Sequence, residues 1–209
     1  MENLTTRNWL TYCAPETRTR IEKRLRSVRF SKGALIHQIG DRADDLFLIE
    51  NGRVRFGASS EDGKELIVRD LEPGQWFGFI GCFGSGVRPN DAVSLAETKL
   101  LIISRREIEE LGRSDPMLWR AIAGILATYV AHFYRTYENS VFLPLEKRLA
   151  ATLKQLCTWQ GTTTLNISQG ELAAIMGITK EAVGLHLNAL KSRGVVELGY
   201  RSISIQSVD

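Results

Sequence analysis

No stretch of the 209-residue chain approaches the ~20 consecutive apolar residues of a membrane-spanning helix. Its start, MENLTTRNWL, has no basic segment leading into an apolar one, so no secretory signal is read there. A cytoplasmic location with no membrane partner is the expectation. Cysteine is scarce: Cys13, Cys82 and Cys157 stand far apart, which argues against a disulfide framework and against a four-cysteine iron–sulfur cluster. Each is expected to be a buried apolar thiol. No P-loop and no metal-ligand spacing occurs, so no metal site is expected. An excess of charge of one sign is also lacking. The net charge is +3, and residues 145–209 carry seven Lys and Arg against five Asp and Glu, a balance of +2. Charge alone therefore does not mark a nucleic-acid binder; phosphate contacts would have to come from local clustering and from two copies acting together. An enzyme would need Cys82 as nucleophile with a histidine base, and no histidine adjoins it in sequence. The chain is read as having no catalytic residues.

What is present is organised around residues 167–196, ISQGELAAIMGITKEAVGLHLNALKSRGVV. Ser168 followed by Glu171 is a capping box, which starts a helix. Leu172, Ile175 and Met176 form its apolar stripe, Gly177 can leave the helix at positive φ, and Thr179 can cap a second helix two residues later. Val183, Leu187 and Leu190 recur at i, i+4, i+7 and face a core, leaving Glu181, Gly184, Leu185, Asn188 and Ser192 on the far side with Lys180 at the exposed start. This is a helix-turn-helix. The residues assigned to double-stranded DNA are Ser168, Gln169, Thr179, Lys180, Glu181, Gly184, Leu185, Asn188 and Arg201. Lys180 can donate to guanine, Glu181 can accept from cytosine N4, and Asn188 can pair with adenine or hold a phosphate. The following VVELGYRSISIQSV reads as two strands about a Gly199-Tyr200 turn, a β-wing that places Arg201 at a phosphate.

Upstream, residues 5–26 carry helical signals, and the basic run Arg18, Arg20, Lys23, Arg24, Arg26, Arg29 reads as a solvated face. From Phe30 the period changes to two. Short β-rich segments are broken by Gly33, Gly40, Asn51-Gly52, Asp62-Gly63 and Pro73-Gly74, the pattern of a β-sandwich or jelly-roll barrel. REIEELG is a short helix. Asp115-Pro116 opens a long one to about Ser140, in which Ile122, Leu126, Tyr129 and Phe133 form a heptad seam. Leu118, Ile125, Val130 and Tyr137 are apolar on the other side. A helix buried on two sides fits a homodimer interface; the alternative is one buried helix in a monomer. Pro144 marks a hinge.

An N-terminal roll, a long helix and a C-terminal winged helix in this order resemble the CRP/FNR family of bacterial transcription regulators. The resemblance covers nearly the whole chain and is carried by KGALIHQIGDRADDLFLIENGRVRFG, PLEKRLAATL and ITKEAVGLHLNAL. It implies an α+β chain with a cyclic-nucleotide-binding-like β-roll (jelly-roll barrel) over residues 1–114. A dimerisation helix and hinge would follow at 115–143 and a winged helix-turn-helix at 144–209. It also implies a two-fold operator and RNA polymerase as a partner.

The departures define the effector question. In the family's cyclic-AMP binders, the loop after the Phe-Gly pair supplies a Glu for the ribose and an Arg-Ser pair for the phosphate. In an ungapped reading Phe79 holds the Glu place and Pro89-Asn90 the Arg-Ser place, and Arg88 substitutes only if the loop shifts by one residue. Phe133 and Tyr134 stand near the positions that contact adenine. The cyclic-AMP site therefore reads as lost, and the effector is either another molecule or none. The effector-pocket set is Gly78, Phe79, Ile80, Gly81, Arg88, Asn90, Phe133 and Tyr134, which suits an apolar or aromatic effector. Haem, through His37, His132 or Cys82, stays open as an alternative cofactor, as does a ligand-binding module that signals through protein contacts. At the recognition helix, Lys180 and Glu181 match the family's Arg-Glu start, whereas Leu185 replaces its last Arg.

Overall fold

Among the described residues eight strands precede residue 105: β1 (Arg26–Phe30), β2 (Leu35–His37), β3 (Asp45–Asn51), β4 (Val54–Ser59), β5 (Glu65–Leu71), β6 (Trp76–Phe77), β7 (Asp91–Ser94) and β8 (Thr98–Ser104). In the computed structural model, which describes residues 4–59 and 65–206, they form two four-stranded sheets, β1-β8-β3-β6 and β2-β7-β4-β5. This is the expected roll. The Asp62-Gly63 turn lies outside the described residues. Consecutive residues of a strand face opposite sides of a sheet, and here both sides of β1-β8-β3-β6 are covered. Phe47, Ile49, Phe77 and Leu100 point toward the second sheet's Val54, Leu71 and Ala92. Their neighbours Leu46, Trp76 and Ile103 join a second core with Trp9, Ile21, Ile108 and Leu111. Burial on both faces is why LFLI and LLII read as continuous apolar runs.

The amino-terminal segment is less helical than residues 5–26 suggest. A 3-10 turn, Trp9–Tyr12, is followed by α1 (Pro15–Glu22), because Pro15 favours a helix start and disfavours helical backbone at Ala14. Basic side chains of the run pair with acids of the same unit: Arg24 with Glu110 at 3.1 Å, and Arg26 with Asp45 at 3.8 Å. After β6 comes a short helix not read from the sequence, α2 (Phe79–Phe83). REIEELG is α3 (Arg105–Gly112), opened by a second capping box, Ser104 with Glu107.

The long helix is α4 (Pro116–Phe142). Asp115 precedes it, accepting from Met117 N at 3.0 Å and from Ala14 N at 2.9 Å. Burial works to raise this carboxyl, but hydrogen bonds from Thr17 and from those amides outweigh it and hold the group below the ordinary aspartate value. A folded pKa below the unfolded one stabilises above the unfolded value, and the benefit is lost as pH falls through the folded one. Asp115→Ala is expected to destabilise by ~1–3 kcal/mol at pH 7 through the amides left unmet. Urea titrations of both proteins should show the difference shrinking toward pH 3; a constant difference would argue against the ionised cap.

Two compact units result. Of the described residues, 4–58 and 68–132 make the first, while 59, 65–67 and 133–206 make the second, so the division falls within α4. The second unit holds α5 (Leu145–Gln160), β9 (Thr164–Leu165), α6 (Gln169–Met176), α7 (Lys180–Ser192), β10 (Val196–Gly199) and β11 (Ser202–Ile205). Its three strands are ordered β10-β11-β9. The core is Leu149, Leu153, Leu165, Leu172, Val183, Leu187, Leu190, Val196 and Ile203. Pro144 stands at the N-cap of α5. No helix among the described residues is long and apolar enough to cross a membrane.

Candidate functional site

The helix-turn-helix forms as its local signals dictate. Ser168 Oγ accepts from Glu171 N at 3.1 Å, and Glu171 Oε2 accepts from Ser168 N at 3.1 Å. Gly177, at φ 64°, ends α6, and Thr179 Oγ1 takes the Ala182 amide at 3.2 Å. Each such cap contributes ~1 kcal/mol. Val183, Leu187 and Leu190 are buried. Thr179, Lys180, Glu181, Leu185 and Asn188 are exposed, Leu185 at 69%. Gln169 and Gly184 are half-buried and meet where the helices cross, since a Cβ on Gly184 would lie 3.2 Å from Gln169 Oε1.

The wing is present with its turn one residue later than expected. Gly199 pairs with Ser202, so Tyr200 and Arg201 form the two-residue loop. Arg201 adopts φ 50°, the positive φ that tight hairpin loops need. Sequence reasoning missed two things here. Tyr200 is 94% exposed at the tip. Arg201 Nη2 reaches Glu171 Oε2 at 3.4 Å, so the carboxylate that caps α6 also holds the wing arginine. Arg148 Nη2 reaches Met176 O at 3.5 Å and Arg193 pairs with Glu146, tying α5 to the turn and to the carboxyl end of the motif.

In the roll, the effector-pocket set divides. Gly78, at φ 102°, turns the chain into α2; a Cβ there would come 2.8 Å from Asp45 O and 3.0 Å from Arg88 Nη1. Phe79 does not line a pocket. It is 1% exposed and packs edge-on to Trp9 at 5.3 Å in the core shared with α4. An apolar ring at the first position of α2 is drawn into that core, while Ile80 turns outward at 46% exposure. Gly81 is buried, and Asn90 Nδ2 donates to Asp91 O at 2.8 Å. The residue that points inward is Arg88, not Pro89: it is 3% exposed, donates from Nη2 to Asp45 O at 2.9 Å and lies 5.0 Å over the Phe47 ring. Phe133 and Tyr134 belong to the other unit and are 67% and 63% exposed.

The cysteines are buried thiols. Cys82 Sγ donates to Asp45 O at 3.1 Å, and burial pushes its pKa up to about 11 despite Arg88 nearby, so a nucleophilic thiolate there is disfavoured. His37 sits among Phe47, Phe56 and Phe77 at 6.0–6.2 Å. Among the described residues no group of three or more His, Cys, Asp or Glu could hold a metal ion.

The expected seam on α4 is also redistributed. Ile122 is 2% exposed and buried with Leu118, Ala121 and Ile125 in the roll's own core, with Leu126 and Tyr129 packed beside it. Ile122 is thus a core residue and not an exposed seam position. The helical period of 3.6, counted from the buried Leu118, carries the inward face through 121, 122 and 125. Farther along, Val130, Phe133, Tyr134, Tyr137, Val141 and Phe142 are 54–77% exposed, and Phe133 stacks on Tyr137 at 6.5 Å.

The chain matches the cyclic nucleotide-binding domain model over residues 27–115 and the Crp-like helix-turn-helix domain model over residues 147–209. It is 25% identical over 198 residues to a CRP-like cAMP-activated global transcriptional regulator of Mycobacterium tuberculosis, covering 91% of this chain and 88% of that protein. It is 29% identical over 177 residues to the cyclic AMP receptor protein of Thermus thermophilus, covering 85% and 82%. In fold it is similar to the c-di-GMP responsive global regulator CLP of Xanthomonas campestris, with a TM-score of 0.78 at 22% identity, covering 93% of this chain and 100% of that one. A nucleotide-binding-type roll and a Crp-like helix-turn-helix, joined in this order through one long helix, place the chain in the CRP/FNR family of transcription regulators.

Proposed function

We propose that the chain is a homodimeric, sequence-specific DNA-binding regulator that places α7 of each copy in the major groove of a two-fold symmetric operator. Its control is by an effector other than cyclic AMP, or it is constitutively active. RNA polymerase is its further partner. The observation that carries the reading is α7 itself: one side is locked into the core by Val183, Leu187 and Leu190, and the other presents Lys180 and Glu181 at the capped end, and Leu185 and Asn188 farther along, to solvent. In this reading Lys180 and Glu181 read base edges, Leu185 meets a thymine methyl, and Ser168, Gln169, Thr179, Gly184, Asn188 and Arg201 position the backbone. Selection of bound DNA from a random pool should return an inverted repeat with half-site centres about one helical turn apart; no enriched sequence would refute it.

Two substitutions separate the roles. Glu181→Ala should relax discrimination at one base pair per half-site by ~1–3 kcal/mol. Arg201→Ala should weaken selected and random DNA alike and lower the salt slope by about one per protomer. Fluorescence anisotropy on both DNAs over a salt series reads the two effects, and equal losses on both DNAs for Glu181→Ala would remove it as a base reader.

Against cyclic AMP stands Phe79, which can accept no hydrogen bond from a ribose and is turned into another core. Arg88, inside the roll, keeps an anion-seeking group there.

A further inference from the structure

Two segments of the roll are laced together by backbone bonds. Gly40 N donates to Arg88 O at 2.9 Å and Arg88 N to Asp41 O at 2.8 Å, while Ile39 N donates to Asp91 Oδ1 at 2.7 Å. The lacing brings two basic side chains onto one ring: Arg88 Cζ lies 5.0 Å from the Phe47 centroid and the His37 ring 6.0 Å from it. Both residues are more than nine-tenths buried, at 3% and 8% exposure. Arg88 Nε and Nη1 and His37 Nδ1 have no hydrogen-bond partner. Compensation of Arg88 by its surroundings is partial: Asp45, which also faces Arg26 at 3.8 Å, and Asp44 lend Arg88 their field and Cys82 bonds to it, while Asp41 and Asp91 take the amides of Gln38 and Ile39. A buried cation with unmet donors is strongly destabilising unless an anion meets it.

We propose that the interior of the roll beside Phe47 binds a small organic carboxylate, gripped by Arg88 and His37 together, and that binding takes up a proton at His37. The proposal rests on reading the roll as an effector domain. The charge is single because one permanent cation faces the site. The body of the ligand is apolar because the walls are Phe47, Phe56 and Phe77. The proton follows from the histidine's chemistry. His37 is bonded to the Asn90 backbone, and burial, then the Arg88 charge, lower its pKa to about 4 against the opposing pull of Asp41 and Asp91. At neutral pH the unpartnered Nδ1 is therefore a lone pair, which cannot donate to a carboxylate. An anion that neutralises Arg88 removes part of the field that keeps the proton off. Between the free and the raised bound pKa, affinity strengthens as pH falls, by at most tenfold per pH unit.

Benzoate and acetate are the probes, with inorganic phosphate and cyclic AMP for comparison. Each is titrated calorimetrically into the full-length chain without DNA, at pH 6 and pH 8, in buffers of different ionisation heat. Saturable benzoate binding is expected, at least fivefold tighter at pH 6, with proton uptake. Arg88→Gln should weaken it at least thirtyfold. His37→Gln should leave weak binding with a flat pH profile, so the inference stays testable even if Arg88→Gln fails to fold. Absence of saturable carboxylate binding at millimolar concentration, benzoate binding with no pH dependence, or tighter binding of cyclic AMP than of benzoate would each overturn it. Because no DNA is present, such a failure leaves the operator reading intact, and a failed operator selection leaves this one intact.

Discussion

Replacing Phe79 by Glu, the change that would restore the family's ribose acceptor, is expected to unfold the roll rather than to restore cyclic AMP binding. The ring is 1% exposed and meets Trp9 at 5.3 Å within the core that includes Trp76, Ile108 and the first turns of α4. Truncating such a ring costs ~3–5 kcal/mol, and an unpaired carboxylate in its place adds several more. Together these rival the ~5–15 kcal/mol stability of a whole domain. Ile80→Glu, one residue on but 46% exposed, is the control and should shift stability by no more than ~0.5–1 kcal/mol. Thermal unfolding followed by circular dichroism compares them. A Phe79→Glu protein that melts normally and binds cyclic AMP would mean that this side chain faces the ligand.

The second large effect is expected on α4. Phe133→Glu combined with Tyr137→Glu should yield monomers that lose operator binding while the roll stays folded. Both rings are more than half exposed and stack on each other, so charging them disturbs no core of their own chain. Burying each against a second copy is worth ~1.5–3 kcal/mol. Symmetry doubles the loss, and association should weaken by at least about four decades. Sedimentation velocity of the variant decides the point: a species still dimeric at micromolar concentration would place the interface elsewhere. Ile122→Ala should behave in the opposite way, lowering the melting temperature without changing the association state.

What was legible in the sequence was whatever is written within four residues. Ser168 with Glu171, Gly177 and Thr179 specify both helix starts and the turn between them, and their hydrogen bonds form as read. Ser104 with Glu107 makes the same local statement ahead of α3. What was not legible depended on partners distant in sequence. Nothing local says that Phe79 turns toward Trp9, seventy residues earlier, or that Ile122 is claimed by the roll's core instead of a heptad seam. Arg88 rather than Pro89 points inward because the loop is laced to Gly40 and Asp41, a register that ungapped counting cannot supply. The wing turn slipped by one residue because Arg201 takes a positive φ that sequence propensity assigns to glycine or asparagine.

β3 carries a mechanical consequence. Leu46 and Phe47 are adjacent on one strand, yet Phe47 bears on Arg88 and His37 while Leu46 lies in the core that contains Ile122 and Ile125 of α4. A close-packed interior has little free volume to absorb a shift. Displacement of the Phe47 ring therefore passes through a single peptide unit to the opposite layer, making the strand a lever about one residue long between the basic pair and the long helix.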